Sequence, residues 1–364
     1  MSVKFKKIDE GIFSPAIFNK DGSLKLGPTN SFIKYEATCD DLDELITTLN
    51  TLRRVLLDYV PTYAFDPTTI EIIKNTSIFN NDMLKLRLSQ LPIFDTVCEL
   101  DYIEPGTHPK YKKSIDIAVD ITNDTVDKMN VTTDHITYFE DGKIVTGKYE
   151  KSGPILLVKL APKQTVQFAL HATIGDGETN KIWSCVSNAF YTYDEKSLTG
   201  IFTIESQGQM NERELLVRAC KHIMTKLTII HDKLIDKLKT QESYIYLDPH
   251  GRLTDIDITL LPKVDTHDAI FLEIIDEDYT LGNLLVDALQ MDKDIIFAGL
   301  SKPDQLVKRI VIKIQTKISL DKIIDRVFEK LVSDFKKYEK IFSYDSKKEY
   351  DSIPKDIKKK ESKK

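Results

Sequence analysis

Apolar side chains recur along one face of several stretches of this chain. Leu281, Leu284, Leu285, Ala288 and Leu289 fall at i, i+3, i+4, i+7 and i+8, one side of an α-helix. Thr280 stands where an N-cap is wanted, and Asp276, Glu277 and Asp278 precede it, where a helix N-terminus favours negative charge. A helix this short is marginal alone and must bury its stripe on something else. A second leucine helix carries Leu42, Leu45, Leu49, Leu52 and Leu56, is capped by Asp40 or Asp41, and is stopped by Pro61. A short helix near 82–91 closes at Pro92. Two longer amphipathic helices are predicted. One covers about 212–239, with Leu216, Ile223, Leu227 and Leu234 on its face; the other covers about 320–338, with Ile323, Val327, Leu331 and Phe335.

Strand-like runs lie between the helices, at 31–36, 70–73, 202–205, 269–275 and 307–316. From 94 to 199 the pattern changes. Turn signals at Pro105-Gly106, Asp141-Gly142, Gly153-Pro154 and Gly175-Asp176-Gly177 punctuate short β-rich runs, as expected of an inserted β-rich domain. Residues 1–30 read as a loose leader, and 343–364 as a disordered Lys-rich tail. The fold class is α+β. The expected domains are 1–93 with 200–242, the insert at 94–199, and a smaller domain at 243–342.

The two halves share a plan of strand, leucine helix, strand and long amphipathic helix. Setting Asn50 on Asn283 superposes Leu52 on Leu285 and Leu56 on Leu289. Each leucine helix is therefore expected to bury its stripe on the other, through Leu45, Leu49, Leu52 and Leu56 on one side and Leu281, Leu284, Leu285 and Leu289 on the other. Burying roughly ten such side chains at about 1.5–3 kcal/mol each gives on the order of 15–30 kcal/mol gross, an upper figure.

Composition narrows the function. The formal charge of −6 gives no global case for nucleic-acid binding, and a protein that is 41% hydrophobic and 30% charged is ordinarily globular. Cys39, Cys98, Cys185 and Cys220 are scattered without CxxC spacing, which predicts free thiols and no metal. No apolar run approaches a membrane span and no signal-peptide core is expected, so the protein is expected to be soluble and intracellular. Asp276-Glu277-Asp278 reads as a helix lead-in and not a metal loop, and Gly175-Asp176-Gly177 as a turn, since no GK[ST] follows it. His171, His222, His231 and His267 lack a triad context, and Trp183 reads as packing. The eleven lysines of 336–364 are mixed with six acids. No catalytic residue and no cofactor is expected.

Several motifs are nonetheless specific. Asn50-Thr51-Leu52-Arg53-Arg54-Val55-Leu56-Leu57 resembles a helix of the alpha-like family of multisubunit RNA polymerases, whose members are bacterial alpha, archaeal D and the eukaryotic third subunit. Asn81 to Leu84, Arg87-Leu88 and Leu91-Pro92-Ile93 resemble that family's next helix. Ile155 to Pro162, His171-Ala172 and the stretch from Lys181 to Val186 resemble its inserted domain, and Phe202 to Ser206 its returning strand. Asp278-Tyr279-Thr280-Leu281-Gly282-Asn283-Leu284-Leu285, with Phe297-Ala298-Gly299, resembles the small partner, archaeal L or the eukaryotic eleventh subunit.

The resemblance covers about 31–340 and implies two alpha-like subunits fused head to tail, similar to fusions in large DNA viruses. It implies an intramolecular pseudo-dimer, not a homo-oligomer, acting as a non-catalytic assembly platform in DNA-templated transcription. The implied partners are two large catalytic RNA polymerase subunits and small zinc-bearing subunits, with template DNA touched only indirectly and no membrane. Asn50, Arg53 and Arg54 would meet a large subunit. A viral protein of this kind would work in the host cytoplasm or travel in the virion; the alternative is the nucleus. The competing reading is a stand-alone nucleic-acid-binding factor using the basic tail and the insert.

Overall fold

Two four-stranded antiparallel sheets repeat one strand order. The computed structural model describes residues 3–13, 16–18, 24–26, 30–104, 107, 113–150, 153–240, 258–261 and 269–352. The chain begins with β1 (Lys4–Phe13), β2 (Ala16–Phe18), β3 (Leu24–Leu26), β4 (Asn30–Thr38) and helix α1 (Leu42–Asp58). Next come β5 (Thr62–Phe65), β6 (Glu71–Asn75), α2 (Asn81–Ser89), β7 (Ile115–Thr122), β8 (Met129–Thr132) and β9 (Thr137–Glu140). They are followed by β10 (Lys143–Val145), β11 (Leu156–Leu160) and β12 (Thr165–Gly175). β13 (Val186–Asp194), β14 (Thr199–Ser206) and α3 (Glu212–Thr240) close the first half. The second half holds β15 (Ile258–Leu261), β16 (Ala269–Ile275), α4 (Tyr279–Gln290), β17 (Ile295–Ser301), β18 (Arg309–Thr316) and α5 (Leu320–Ser352).

The first sheet runs β1-β4-β14-β13 and the second β15-β16-β18-β17. Each consists of two strands, a helix, two more strands and a long helix, with the second pair inserted in reverse order. Residues 291–294 connect α4 to β17, whereas 59–185 separate α1 from β13. The extra length is the insert, whose main sheet runs β10-β9-β7-β12-β5, with β6 also on β12. Its core gathers Phe65, Leu84, Leu88, Val119, Phe168 and Leu170. The insert therefore takes in β5, β6 and α2, which precede residue 94, while β13, which precedes residue 199, belongs to the first sheet. The expected boundaries at 94 and 199 followed turn signals, but strand pairing and core membership lie elsewhere.

The two halves do not have separate cores. α3 and α5 pack antiparallel: His231 of α3 meets Asp325 and Phe328 near the start of α5. The end of α3 runs beside β15 of the second sheet, and its Ile235 and Leu238, like Ile270, pack against the common core. In the other direction, α5 reaches the first sheet. There Tyr338 Oη accepts from Val3 N at 3.0 Å, and Phe342 stacks edge-on against Phe5 and Tyr35 with centroids 5.2 and 5.1 Å away. Each half's long helix thus reaches the other half's sheet. One continuous core runs from Val3 through Leu52, Leu216, Leu285 and Ile312 to Phe342.

Three further expectations change. The supposed leader contains β1, paired with β4 from Lys4↔Thr38 to Phe13↔Asn30. Its signal is a short alternation, with Val3 and Phe5 buried and Lys4 and Lys6 outside. α5 continues past residue 342 to Ser352, and Phe342 lies on its inward face, fully buried. Of the expected tail, 353–364 lies outside the described residues. The N-cap of α4 is Asp278 and not Thr280: its carboxylate accepts from Thr280 N at 2.8 Å, and Thr280 itself is buried in the first turn. Asp41 caps α1 as anticipated, accepting from Asp43 N and Glu44 N.

Phe342 is fully buried at the far end of the exchanged helix. Phe342→Ala is expected to cost about 3–5 kcal/mol of stability in denaturant unfolding, and to loosen β1 from β4 in hydrogen exchange.

Candidate subunit-pairing interface

α1 and α4 face each other across the boundary between the halves. Thr47 Oγ1 hydrogen-bonds Asp287 at one end of the contact, and at the other Arg54 Nη2 lies 2.6 Å from Asp278 Oδ2. Between them Thr51 Oγ1 donates to the Thr280 carbonyl at 3.4 Å. When Asn50 is set on Asn283, Thr47 corresponds to Thr280 and Arg54 to Asp287. The reciprocal of Thr47–Asp287 would then be Arg54–Thr280; Arg54 pairs instead with Asp278, two residues before Thr280, so the two end contacts are related by an approximate two-fold axis. The chemistry differs at each end. Where the first helix has an arginine reaching a cap carboxylate, the second has an aspartate accepting from a threonine.

All eight leucines expected at the interface (Leu45, Leu49, Leu52, Leu56, Leu281, Leu284, Leu285 and Leu289) lie in the common core. They do not all face the opposite helix. Leu45 and Leu49 lie against Gly200 of β14, and Gly282 of α4 rests on Leu300 and Ile310. Between the helices, Thr47, Thr48, Thr51 and Val55 of α1 share two small clefts with Thr280, Leu281, Leu284 and Ala288 of α4. The leucine spacing marked the core; the threonine row escaped notice because a hydrophobicity pattern treats threonine as polar. The spacing of Thr47, Thr51 and Val55, at i, i+4 and i+8, was the available signal.

Asn50, Arg53 and Arg54 all lie on α1 and are half-buried. Arg53 folds back on its own helix, with Nη2 and Nε at 2.9 and 3.2 Å from Asn50 Oδ1. Arg54 instead crosses to the other half. Burial opposes ionisation of Asp278, but the Thr280 amide and the Arg54 guanidinium outweigh it and hold the carboxyl below its ordinary value. At the other end burial pushes Asp287 up, partly offset by Thr47.

Behind the Arg54 end lies a polar junction that the sequence did not disclose. Glu277 is buried and pairs with Lys226 of α3 at 2.6 Å; their side chains are 3% and 13% exposed. Burial raises the Glu277 carboxyl above its ordinary value, against the pull of Lys226. Lys226 Nζ also sits 4.9 Å over the Tyr59 ring, and His222 stacks on the same ring at 5.7 Å. Burial and Lys226 drive His222 down to about 3, so it stays a neutral imidazole with Nδ1 at 3.2 Å from the Asp101 carbonyl. Tyr59 Oη donates to Glu178, and Lys308 of the second half reaches the same carboxylate at 2.6 Å. Glu178 therefore joins the insert loop, the end of α1 and the second half. Gly177 lets that loop approach: a β-carbon there would run into the Leu57 carbonyl, and Glu178 N donates to Asp58 O at 2.8 Å.

The acidic triplet is thus engaged in structure, with Asp276 N donating to the Lys308 carbonyl, Glu277 on Lys226, and Asp278 capping α4. His171 pairs with Asp116 at 2.7 Å and His231 with Asp325 at 2.8 Å, while His267 lies outside the described residues. Trp183 is buried, and its indole N–H donates to the Thr173 carbonyl. Cys98 sits in the insert's core, whereas Cys185 sits in the common core.

Lys226→Met leaves Glu277 buried without a countercharge, and is expected to cost about 3–5 kcal/mol at neutral pH; adding Glu277→Leu is expected to restore most of the loss. The sign with pH follows from the raised carboxyl. A native state that holds its proton more tightly than the unfolded chain loses stability as pH rises through the window above 4.5. The single variant is therefore expected to recover relative to the parent as pH falls from 7 toward 5. Unfolding curves across that range check both points.

Comparison with known proteins agrees with this geometry. The profile of the RNA polymerase Rpb3/Rpb11 dimerisation domain matches residues 43–227, and a second profile of the same description matches 269–340. A protein of Acanthamoeba polyphaga mimivirus, assigned as a DNA directed RNA polymerase subunit, is 25% identical over 72% of this chain and 76% of its own length. Subunit 3 of the DNA-directed RNA polymerases II, IV and V of Arabidopsis thaliana is 21% identical over 82% of this chain and 90% of its own. In Dictyostelium discoideum, the DNA-directed RNA polymerase II subunit rpb11 is 36% identical over 75 residues, covering 21% of this chain and 58% of that protein. With one matched domain in each half and more than half of its residues inside those matches, the chain belongs to the RNA polymerase Rpb3/Rpb11 dimerisation-domain family.

Proposed function

We propose that this protein is a non-catalytic assembly subunit of a DNA-directed RNA polymerase, carrying both members of an alpha-like pair in one chain. The observation that carries the reading is the presence of two family domains in sequence, on halves whose sheets share a strand order. Its mechanism is recognition. The α1–α4 contact, with the leucines behind it, is the pseudo-dimer interface, and the fused body offers one platform to the two large catalytic subunits. Small zinc-bearing polymerase subunits are further partners. We divide the chain into a first pairing domain of β1–α1 with β13–α3, an insert of β5–β12, and a second pairing domain of β15–α5.

Asn50 and Arg53 are the residues proposed to meet a large subunit. Arg54 is already committed to Asp278, so its role is to fix the pairing, whereas Arg53 is satisfied only locally by Asn50 among the described contacts. A guanidinium in that position can turn outward to a carboxylate or carbonyl of a docked neighbour.

Copurification from the native source with mass spectrometry tests the assignment. Large polymerase subunits are expected to accompany this protein. Their absence, together with DNA binding by the isolated protein on a steep salt slope, would point to the nucleic-acid-binding reading instead. Arg53→Ala is expected to weaken retention of a large subunit while shifting stability by less than about 0.5 kcal/mol. Leu285→Asp is expected to abolish soluble protein by burying an unpaired charge. Chains 1–240 and 258–364, coexpressed, are expected to copurify; failure to associate at micromolar concentration would sink the two-subunit reading.

A further inference from the structure

A cleft of about 20 Å³ lies between α1, α3 and the start of α4. Val55, Ile223 and Leu281 give it apolar walls. His222, Lys226, Glu277 and Thr280 bring polar groups to the same space. His222 and Thr280 are only 4% and 7% exposed, yet neither His222 Nε2 nor Thr280 Oγ1 has a hydrogen-bond partner among the described residues. The His222 ring cannot resolve this by itself. Its Nδ1 lies 3.2 Å from the Asp101 carbonyl, which only accepts, so the ring proton sits on Nδ1 and Nε2 presents a lone pair. Thr280 stands in the first turn of α4, so the carbonyl four residues back, to which a threonine inside a helix would turn, belongs to Asp276 outside the helix. Beside them Lys226 Nζ and Glu277 Oε1 are 2.6 Å apart, with side chains 13% and 3% exposed.

We propose that this cleft is a binding site for a single ordered water molecule, which accepts from Thr280 Oγ1 and donates to His222 Nε2 and to the Glu277 carboxylate. Buried polar atoms in folded proteins are satisfied by protein groups or by ordered water, and three bonds are the usual complement of a buried water. Size selects this ligand, since the cleft has room for a water molecule and for nothing larger. Charge selects it as well. Lys226 repels a bound cation and Glu277 a bound anion, which leaves a neutral molecule able both to donate and to accept. The site takes one wall from α3 of the first half and another from α4 of the second, so it is complete only when the halves pack. The water is then a wet contact across the seam, joining a ring on one half to the first turn of a helix on the other. The proposal rests on that packing and not on the assembly role, so its failure leaves the polymerase assignment where it stands.

Crystallography of the full-length protein, at a resolution that shows ordered water, tests the site. A single peak is expected at about 2.6–3.2 Å from both His222 Nε2 and Thr280 Oγ1. Thr280→Val keeps the shape of the side chain and removes its hydroxyl, and is expected to lower the occupancy of that peak at least twofold. An empty cleft between well-ordered side chains would overturn the proposal. So would a direct hydrogen bond between His222 and Thr280, a peak that bromide replaces with an anomalous signal, or a peak untouched by Thr280→Val. A measurement in solution needs no substitution at the cleft. Nitrogen NMR of the full chain with isotope-labelled histidine is expected to show His222 as the Nδ1–H tautomer with a hydrogen-bonded Nε2. The signal of a bare Nε2 lone pair would sink the proposal even if no crystal grew.

Discussion

A single core shared by both halves, closed by long helices that each reach the other half's sheet, is the constraint on which the rest of the structure depends. A four-stranded antiparallel sheet needs one covered face, and a lone short helix such as α4 cannot fully supply it. α3 packs on β4 and β14 of its own sheet and runs on to β15 of the second, and α5 runs on to Phe5 and Tyr35 of the first. Neither half has a complete core without the other. The insert differs: its residues close a core of their own, and it is linked to the rest through Glu178 and the end of α1. It can therefore occupy the α1–β13 connection without disturbing the exchanged helices.

Within that frame the polar contacts set geometry. The α1–α4 contact is two-fold only approximately in position and not in chemistry, because Arg54 faces a helix cap while its counterpart Asp287 faces a threonine. A homodimer of the first half would set Arg54 opposite Leu45 and Thr47, losing the ion pair; one of the second half would bring Asp287 toward Thr280 and the acidic lead-in. Each half is thus electrostatically matched to the other in preference to itself. Lys226 and Glu277 reinforce the match from behind, since that pair forms only when α3 of one half meets the lead-in to α4 of the other.

Much of this was legible in the residues. Helical spacing located α1, α3, α4 and the start of α5, because a buried face repeats every three to four positions over several turns. Short strands were harder. β13 reads Val-Ser-Asn-Ala-Phe-Tyr-Thr-Tyr-Asp, with aromatic residues on both sides, as an edge strand partly open to solvent allows. β1 alternates only briefly and was lost among glycines and prolines. The threonine row of α1 and the Lys226–Glu277 pair were not legible, because their meaning depends on residues far away in sequence. The shared plan of the two halves, with Asn50 set on Asn283, already suggested that the two leucine helices belong together, and the resemblance to alpha-like subunits added what such a pair is for.

The short connection and the long one share a further consequence. Two-chain partners find each other by collision, so their pairing weakens on dilution and depends on matched synthesis. Here a single translation event yields both partners in equal number, and the midpoint at which the pair melts should not depend on how much protein is present. Pairing of the two domains is thereby built into the folding of one chain and does not wait for a second gene product.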